Sequence, residues 1–143
     1  MTEERAQEIL STYRAARNRP DLDLLDGIFA EEVVVHDASA PGDIRGLEAL
    51  KSFYAESHEG FPEFRIDWDA VIVAPDALVT RWTIEATHGG NLRGLSPTGR
   101  LVRFSGVAID RVADGRIVEE WVYFDLLGLL VQLGVAPAPT GGS

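Results

Sequence analysis

The chain has 143 residues, 45% of them hydrophobic and 25% charged, which is the size and balance of one ordinary domain with an apolar core. Lys and Arg number 13 against 23 Asp and Glu, a formal charge of −10, so the surface repels phosphate backbones and anionic lipid, and neither nucleic acid nor membrane is an expected partner. Cysteine is absent, which excludes disulfides, thiolate metal sites and cysteine nucleophiles.

Met1 is followed by Thr-Glu-Glu-Arg rather than by a basic and then apolar leader. No apolar stretch approaches the roughly 20 residues that cross a bilayer, so a cytoplasmic location is expected. Over 2–19 the apolar residues Ala6, Ile9, Leu10, Tyr13 and Ala16 recur at helical spacing, with Glu3 and Glu4 early and Arg14, Arg17 and Arg19 late, as the helix dipole favours. Pro20 ends this helix, and Asp21 is placed to cap a short second one carrying Leu22, Leu25 and Ile28. Val33-Val34-Val35-His36 reads as a short strand. A loop holding Pro41 and Gly42 leads to a third helix over 47–57, with Leu47, Leu50, Phe53 and Tyr54 on its inner face. Beyond Pro62 the period becomes two: Phe64, Ile66, Trp68, Ala70 and Ile72 share one face, and Thr80, Trp82, Ile84, Ala86 and His88 share another.

A polar loop at 89–99 precedes two further strands, 101–111 and 117–125, joined through Asp114-Gly115, a strong hairpin signal. Residues 126–133 read as a short apolar helix or lid. The order is helices and one strand, then a meander of four long antiparallel strands: an α+β layout with helices on one face of a curved sheet. One domain is expected over 1–134, followed by a flexible Pro- and Gly-rich tail at 135–143.

No metal site is expected, because His36, His58 and His88 lack chelating spacing. The G-x-S-x-G elbow of serine hydrolases is missing, and the glycine-rich segment 89–94 leads to no helix, so it is no phosphate loop. What remains are ionisable groups on apolar strand faces. His88 shares the parity of Trp82, Ile84 and Ala86, and Asp125 that of Ile117, Trp121 and Tyr123. Projecting into one aromatic hollow, they would form an acid/base pair, with burial raising the carboxyl pKa towards neutrality. The plainer readings stay open: Asp125 as the cap of the helix that follows, His88 as a satisfied core histidine, His36-Asp37 as a strand end. His58 is set aside as a solvated helix end. Trp68, Trp82, Trp121, Phe53, Phe61 and Phe104 are either plain core or the wall of a cavity for a flat ligand.

Several blocks together carry a resemblance. They are Trp82-Thr-Ile-Glu-Ala-Thr-His88-Gly-Gly, Gly94-Leu-Ser-Pro-Thr-Gly-Arg100, Phe104-Ser-Gly106, and Asp114-Gly-Arg-Ile-Val-Glu-Glu-Trp121-Val-Tyr-Phe-Asp125, then Gln132-Leu-Gly134. With Val35-His36-Asp37 and Gly46-Leu-Glu-Ala-Leu-Lys-Ser-Phe53-Tyr, this ordered series resembles the SnoaL-like polyketide cyclases. The resemblance implies an NTF2-like cone, a curved antiparallel sheet wrapped around N-terminal helices with a deep apolar pocket. It implies intramolecular aldol ring closure of a hydrophobic polyketide-type carbonyl compound, without metal or organic cofactor. The family's acid/base aspartate falls on Asp125, its histidine on His88, and the polar group ending the first strand on His36 or Asp37. Trp68, Trp82, Phe53, Phe61 and Phe104, with Tyr123 and Leu130, are the expected substrate wall.

The catalytic reading stands on Asp125 facing inward. Two other readings keep the cavity: a ketosteroid-isomerase-like enzyme using Tyr13, Tyr54 or Tyr123 as a donor, or a binding protein that converts nothing. A curved sheet covered on one face leaves Val107, Ile109 and Val122 or Phe124 to bury elsewhere, so a homodimer is expected.

Overall fold

The computed structural model describes residues 1–19 and 21–139. Helix α1 (Glu3–Asn18) begins where the Thr2 hydroxyl accepts the Arg5 amide at 3.0 Å, satisfying a donor that the first turn leaves free. It buries Ala6, Ile9, Leu10 and Ala16. Pro20, expected to stop it, lies outside the described residues. The second helix is a six-residue 3-10 helix, Leu22–Gly27, and Asp21 makes no side-chain capping bond there.

Strand β1 (Phe29–Asp37) is longer than the β-branched run alone suggests, because Phe29 at its start is also buried. A two-residue strand β2 (Ile44–Arg45) pairs back onto it where a loop was expected. Helix α2 (Leu47–Gly60) follows Gly46, whose φ of 90° places it where a side chain is strained. The meander is β3 (Glu63–Ala74), β4 (Ala77–Thr87), β5 (Leu101–Ala113) and β6 (Arg116–Phe124), and α3 (Leu126–Gln132) closes the described fold. Asp114 and Gly115 both take positive φ in the β5–β6 turn, the two-residue geometry that Asp-Gly prefers. The longest helices are polar along one side, and among the described residues none is long and apolar enough to cross a membrane.

One curved, open sheet runs β2-β1-β6-β5-β4-β3. It is not wholly antiparallel, as the meander alone implies: β1 pairs with β6 in parallel, since the chain runs through β2, α2, β3, β4 and β5 before returning to its side. The fold class is the expected α+β.

Two bulges set which side chains face the helices. Trp68 opposes Trp82 but Ala70 opposes Arg81, so Asp69 is an extra residue in β3. Beyond it Val71 and Val73 pack on the core and Ile72 is 62% exposed, reversing the even alternation read from the sequence. In β6 the extra residue is Val118, because Arg111 pairs with Glu119 while Val112 pairs with Ile117. Ile117 is therefore inward, and beyond the bulge so are Glu120, Val122 and Phe124.

The core is in two parts. One joins α1, α2 and β1 to Leu78, Val112 and Ile117. The other gathers Phe61, Ile66, Trp82, Ile84, Ala86, Val102 and Ala108 under Leu129 and Leu133 of the C-terminal segment. Both contribute walls to a single hollow between them.

Candidate active site

The hollow has a volume of about 510 Å³, within the range that holds a drug-sized ligand. Trp68, Trp82, Phe53, Phe61, Phe104 and Leu130 all lie in its wall. Trp82, Phe104 and Phe124 meet as a cluster with ring centroids 5.5 to 6.1 Å apart, a packing geometry that aromatic quadrupoles favour. Tyr123 is not part of it: this side chain is 62% exposed on the opposite face of β6.

The histidines and Asp125 are placed differently from the expectation. Asp125 is exposed and accepts the Gly128 amide at 2.9 Å as the cap of α3. The Val118 bulge is the cause, since it turns the whole Trp121, Tyr123, Asp125 set outward. Asp125→Ala is accordingly expected to cost about 1 kcal/mol of stability, read by denaturant unfolding, with turnover nearly unchanged. His88 is fully buried on the predicted face but takes no part in the cavity wall. Its Nδ1 accepts the Thr98 amide at 3.2 Å and lies 3.0 Å from the Thr98 hydroxyl, which ties down the 89–100 loop. His36 lies on the outer face, stacked on Trp121, with Nδ1 2.7 Å from Asp43 and Nε2 2.8 Å from Glu119. The hydrogen bond to Glu119, then that to Asp43, raises its pKa. Its neighbour Asp37 does reach the cavity, and accepts the Ser39 amide and hydroxyl. His58, set aside in the sequence, also borders the hollow from within α2.

The chemistry-bearing groups inside are others. Asp110 on β5 and Glu120 on β6 are register partners, directly opposite on neighbouring strands. They are only 4% and 6% exposed, and both face the cavity. Burial pushes both carboxyl pKa values up, that of Asp110 well above its ordinary range, with the neighbouring Glu120 charge raising it further. Asp110 Oδ1 is sealed from solvent with no protein donor among the described residues. Two buried carboxyls on directly opposed positions disfavour ionisation of both together, and burial opposes it more strongly at Asp110 than at Glu120.

Tyr13, Arg17 and Tyr54 are among the other polar residues that line the hollow. The Tyr13 hydroxyl accepts Arg17 Nη1 at 2.6 Å, and Tyr54 packs edge-on to Tyr13 with centroids 5.9 Å apart. Desolvation raises both phenol pKa values, so each stays a hydroxyl and a donor at neutral pH. A carboxylate base, a carboxylic acid and two phenols thus line one apolar hollow, the equipment for moving a proton on and off carbon beside a carbonyl.

The fold is that of an NTF2-like protein, with buried carboxyls facing an interior hollow. Residues 7–133 match the model of the SnoaL-like polyketide cyclases, and the chain belongs to that family. Among solved structures it is similar to IdmH from Streptomyces antibioticus, proposed to be a polyketide cyclase, at 29% identity and a TM-score of 0.76 over 90% of this chain and 98% of that one. It is also similar to AclR from Streptomyces galilaeus, proposed to be a hydroxylase, at 26% identity and a TM-score of 0.82 over 99% and 87% of the two chains. TsrD from Streptomyces laurentii shares the fold, with a TM-score of 0.84 at 24% identity over 95% and 99%. No curated protein matches the sequence.

Proposed function

We propose that this chain closes a ring in a hydrophobic polyketide-type carbonyl compound by an intramolecular aldol reaction, with Glu120 as base and Asp110 as the acid beside it. The observation that carries the reading is the register-matched, buried Asp110–Glu120 pair in the wall of the cavity. Glu120 takes a proton from a methylene flanked by two carbonyls. The enolate carbon then bonds to a second carbonyl of the same molecule, and a carboxyl proton returns to the new alkoxide. The phenols of Tyr13 and Tyr54 are the donors for enolate oxygen. Residues on this chain supply each proton transfer, and the cavity supplies the folded geometry, worth on the order of 7 kcal/mol or more in favourable intramolecular cases.

Exchange of the flanked methylene of a naphthyl β-keto ester in heavy water tests the first step apart from ring closure. Acceleration by the wild-type chain and its loss in Glu120→Gln are expected; no acceleration by the wild type would remove the proposal. The buried phenols beside a protonated carboxyl equally suit double-bond isomerisation, in which the same proton returns to a different carbon. Conversion of an unsaturated ketosteroid would favour that reaction. A homodimer through the outer sheet face remains the proposed assembly, supported by Ile72 and Tyr123, each 62% exposed, and Ile109 at 40%.

A further inference from the structure

Arg17 is the cavity cation that makes no ion pair with a carboxylate among the described residues, although Glu120 feels its charge at longer range. It projects from the last turn of α1, half-buried, into the hollow. Its guanidinium carbon sits 4.1 Å from the Tyr54 ring centroid, 4.5 Å from that of Phe64 and 5.5 Å from that of Tyr13, so the planar group packs against aromatic rings. Those contacts restrict the fork and remove part of its hydration. Its hydrogen bond to protein runs from Nη1 to the Tyr13 hydroxyl. The Nε–Nη2 edge, which forms two parallel bonds with a carboxylate, has no acceptor among the described residues, and no carboxylate oxygen lies within ion-pair distance. Arg93, the other arginine on the cavity, differs: it is engaged by Glu56 at 3.6 Å and by the Ser39 carbonyl at 2.7 Å. In a chain of net charge −10, a half-buried arginine on the cavity wall that pairs directly with none of the 23 acidic side chains keeps that donor edge for the ligand space.

We infer that Arg17 is a specificity-determining residue that receives a carboxylate on the substrate, so that the preferred ligand is a planar aromatic acid rather than its neutral ester. This deepens the ring-closure reading and rests on it for the identity of the site. A bidentate carboxylate on the Nε–Nη2 edge would anchor one end of the molecule against Tyr54 and Phe64 and lay the rest along the aromatic wall towards Glu120. A proton shared between Asp110 and Glu120 would leave at most one negative charge on that pair, and Asp37 is the third carboxyl on the cavity.

Binding of β-naphthoate and of its methyl ester, followed by fluorescence of the cavity residues Trp68 and Trp82, tests this directly. The wild-type chain is expected to bind the acid at least about ten-fold more tightly than the ester, a difference of about 1.4 kcal/mol. Arg17→Met is expected to abolish that preference while ester affinity stays within about two-fold, and Arg17→Lys to retain part of it, keeping the charge but losing the fork. Equal or tighter binding of the ester by the wild type would overturn the inference, as would a preference that survives Arg17→Met. The wild-type comparison holds even if a variant fails to fold. Since Glu120 is judged by exchange of a neutral keto ester, either assignment can fail while the other stands.

Discussion

Glu120→Gln is expected to lower the rate of proton exchange and of ring closure by about 100- to 10,000-fold, the usual contribution of a positioned general base, while the chain still folds. The amide occupies the carboxyl's volume and can still bond to Asp110 across the β5–β6 pairing, so strand register and cavity shape have no reason to change. What disappears is the only function the neutral amide cannot perform, acceptance of a proton from carbon. Asp125→Asn is the matching control. That side chain is exposed at the N-terminal end of α3 and holds the Gly128 amide, so turnover within about two-fold of wild type is expected on the view that only cavity groups do chemistry. Steady-state kinetics of the two variants separates the assignments: full activity in Glu120→Gln, or a comparable loss in Asp125→Asn, would return the base to the C-terminal aspartate.

The second large effect is on stability as a function of pH. Asp110 and Glu120 have ordinary values of 3.8 and 4.5, and burial raises both in the folded chain. A raised carboxyl pKa means that the folded state holds a proton the unfolded state has released. Stability from that proton is full below the unfolded values and declines as pH rises through the folded ones, by about 1.4 kcal/mol per group for each pH unit between them. His36 acts in the same direction, because its bonds to Glu119 and Asp43 raise its pKa above 6.5. The comparison is therefore with Asp110→Asn/Glu120→Gln, in which His36 is unchanged and cancels. Thermal unfolding should show the double variant gaining on the wild type as pH rises from about 5 to about 8. Parallel curves would mean that the pair is ionised like surface carboxyls.

Much of the architecture is legible from residue patterns alone. The α1 spacing, the Asp-Gly turn and the period-two runs each follow from local geometry that tertiary packing leaves intact. The site was hidden by something smaller. A two-residue Asp-Gly turn without a bulge pairs Asp110 with Glu119 and sends Trp121, Tyr123 and Asp125 inward, which is the reading the alternation invites. One extra residue at Val118 shifts the pairing to Glu120 and inverts every later side chain in β6. No residue near 118 announces the bulge: Ile-Val-Glu-Glu is good strand sequence throughout. Asp110 was recoverable, since it continues the inward parity of Val102, Phe104 and Ala108, and a charged residue on that face is the one departure from an apolar stripe. Glu119 and Glu120 were not separable, being adjacent acids of which one must face each way. The aromatic wall was more forgiving, because Trp68 precedes the Asp69 bulge and Trp82, Phe104 and Phe61 lie on elements without one.

Infrared spectroscopy of the carboxyl groups at neutral pH reaches the shared proton without a substrate. The wild-type chain should show a protonated carboxylic acid in an apolar setting at about pH 7, absent from Asp110→Asn. A spectrum in which every carboxyl is ionised at that pH, identical in wild type and variant, would contradict the placing of acid and base at the Asp110–Glu120 pair.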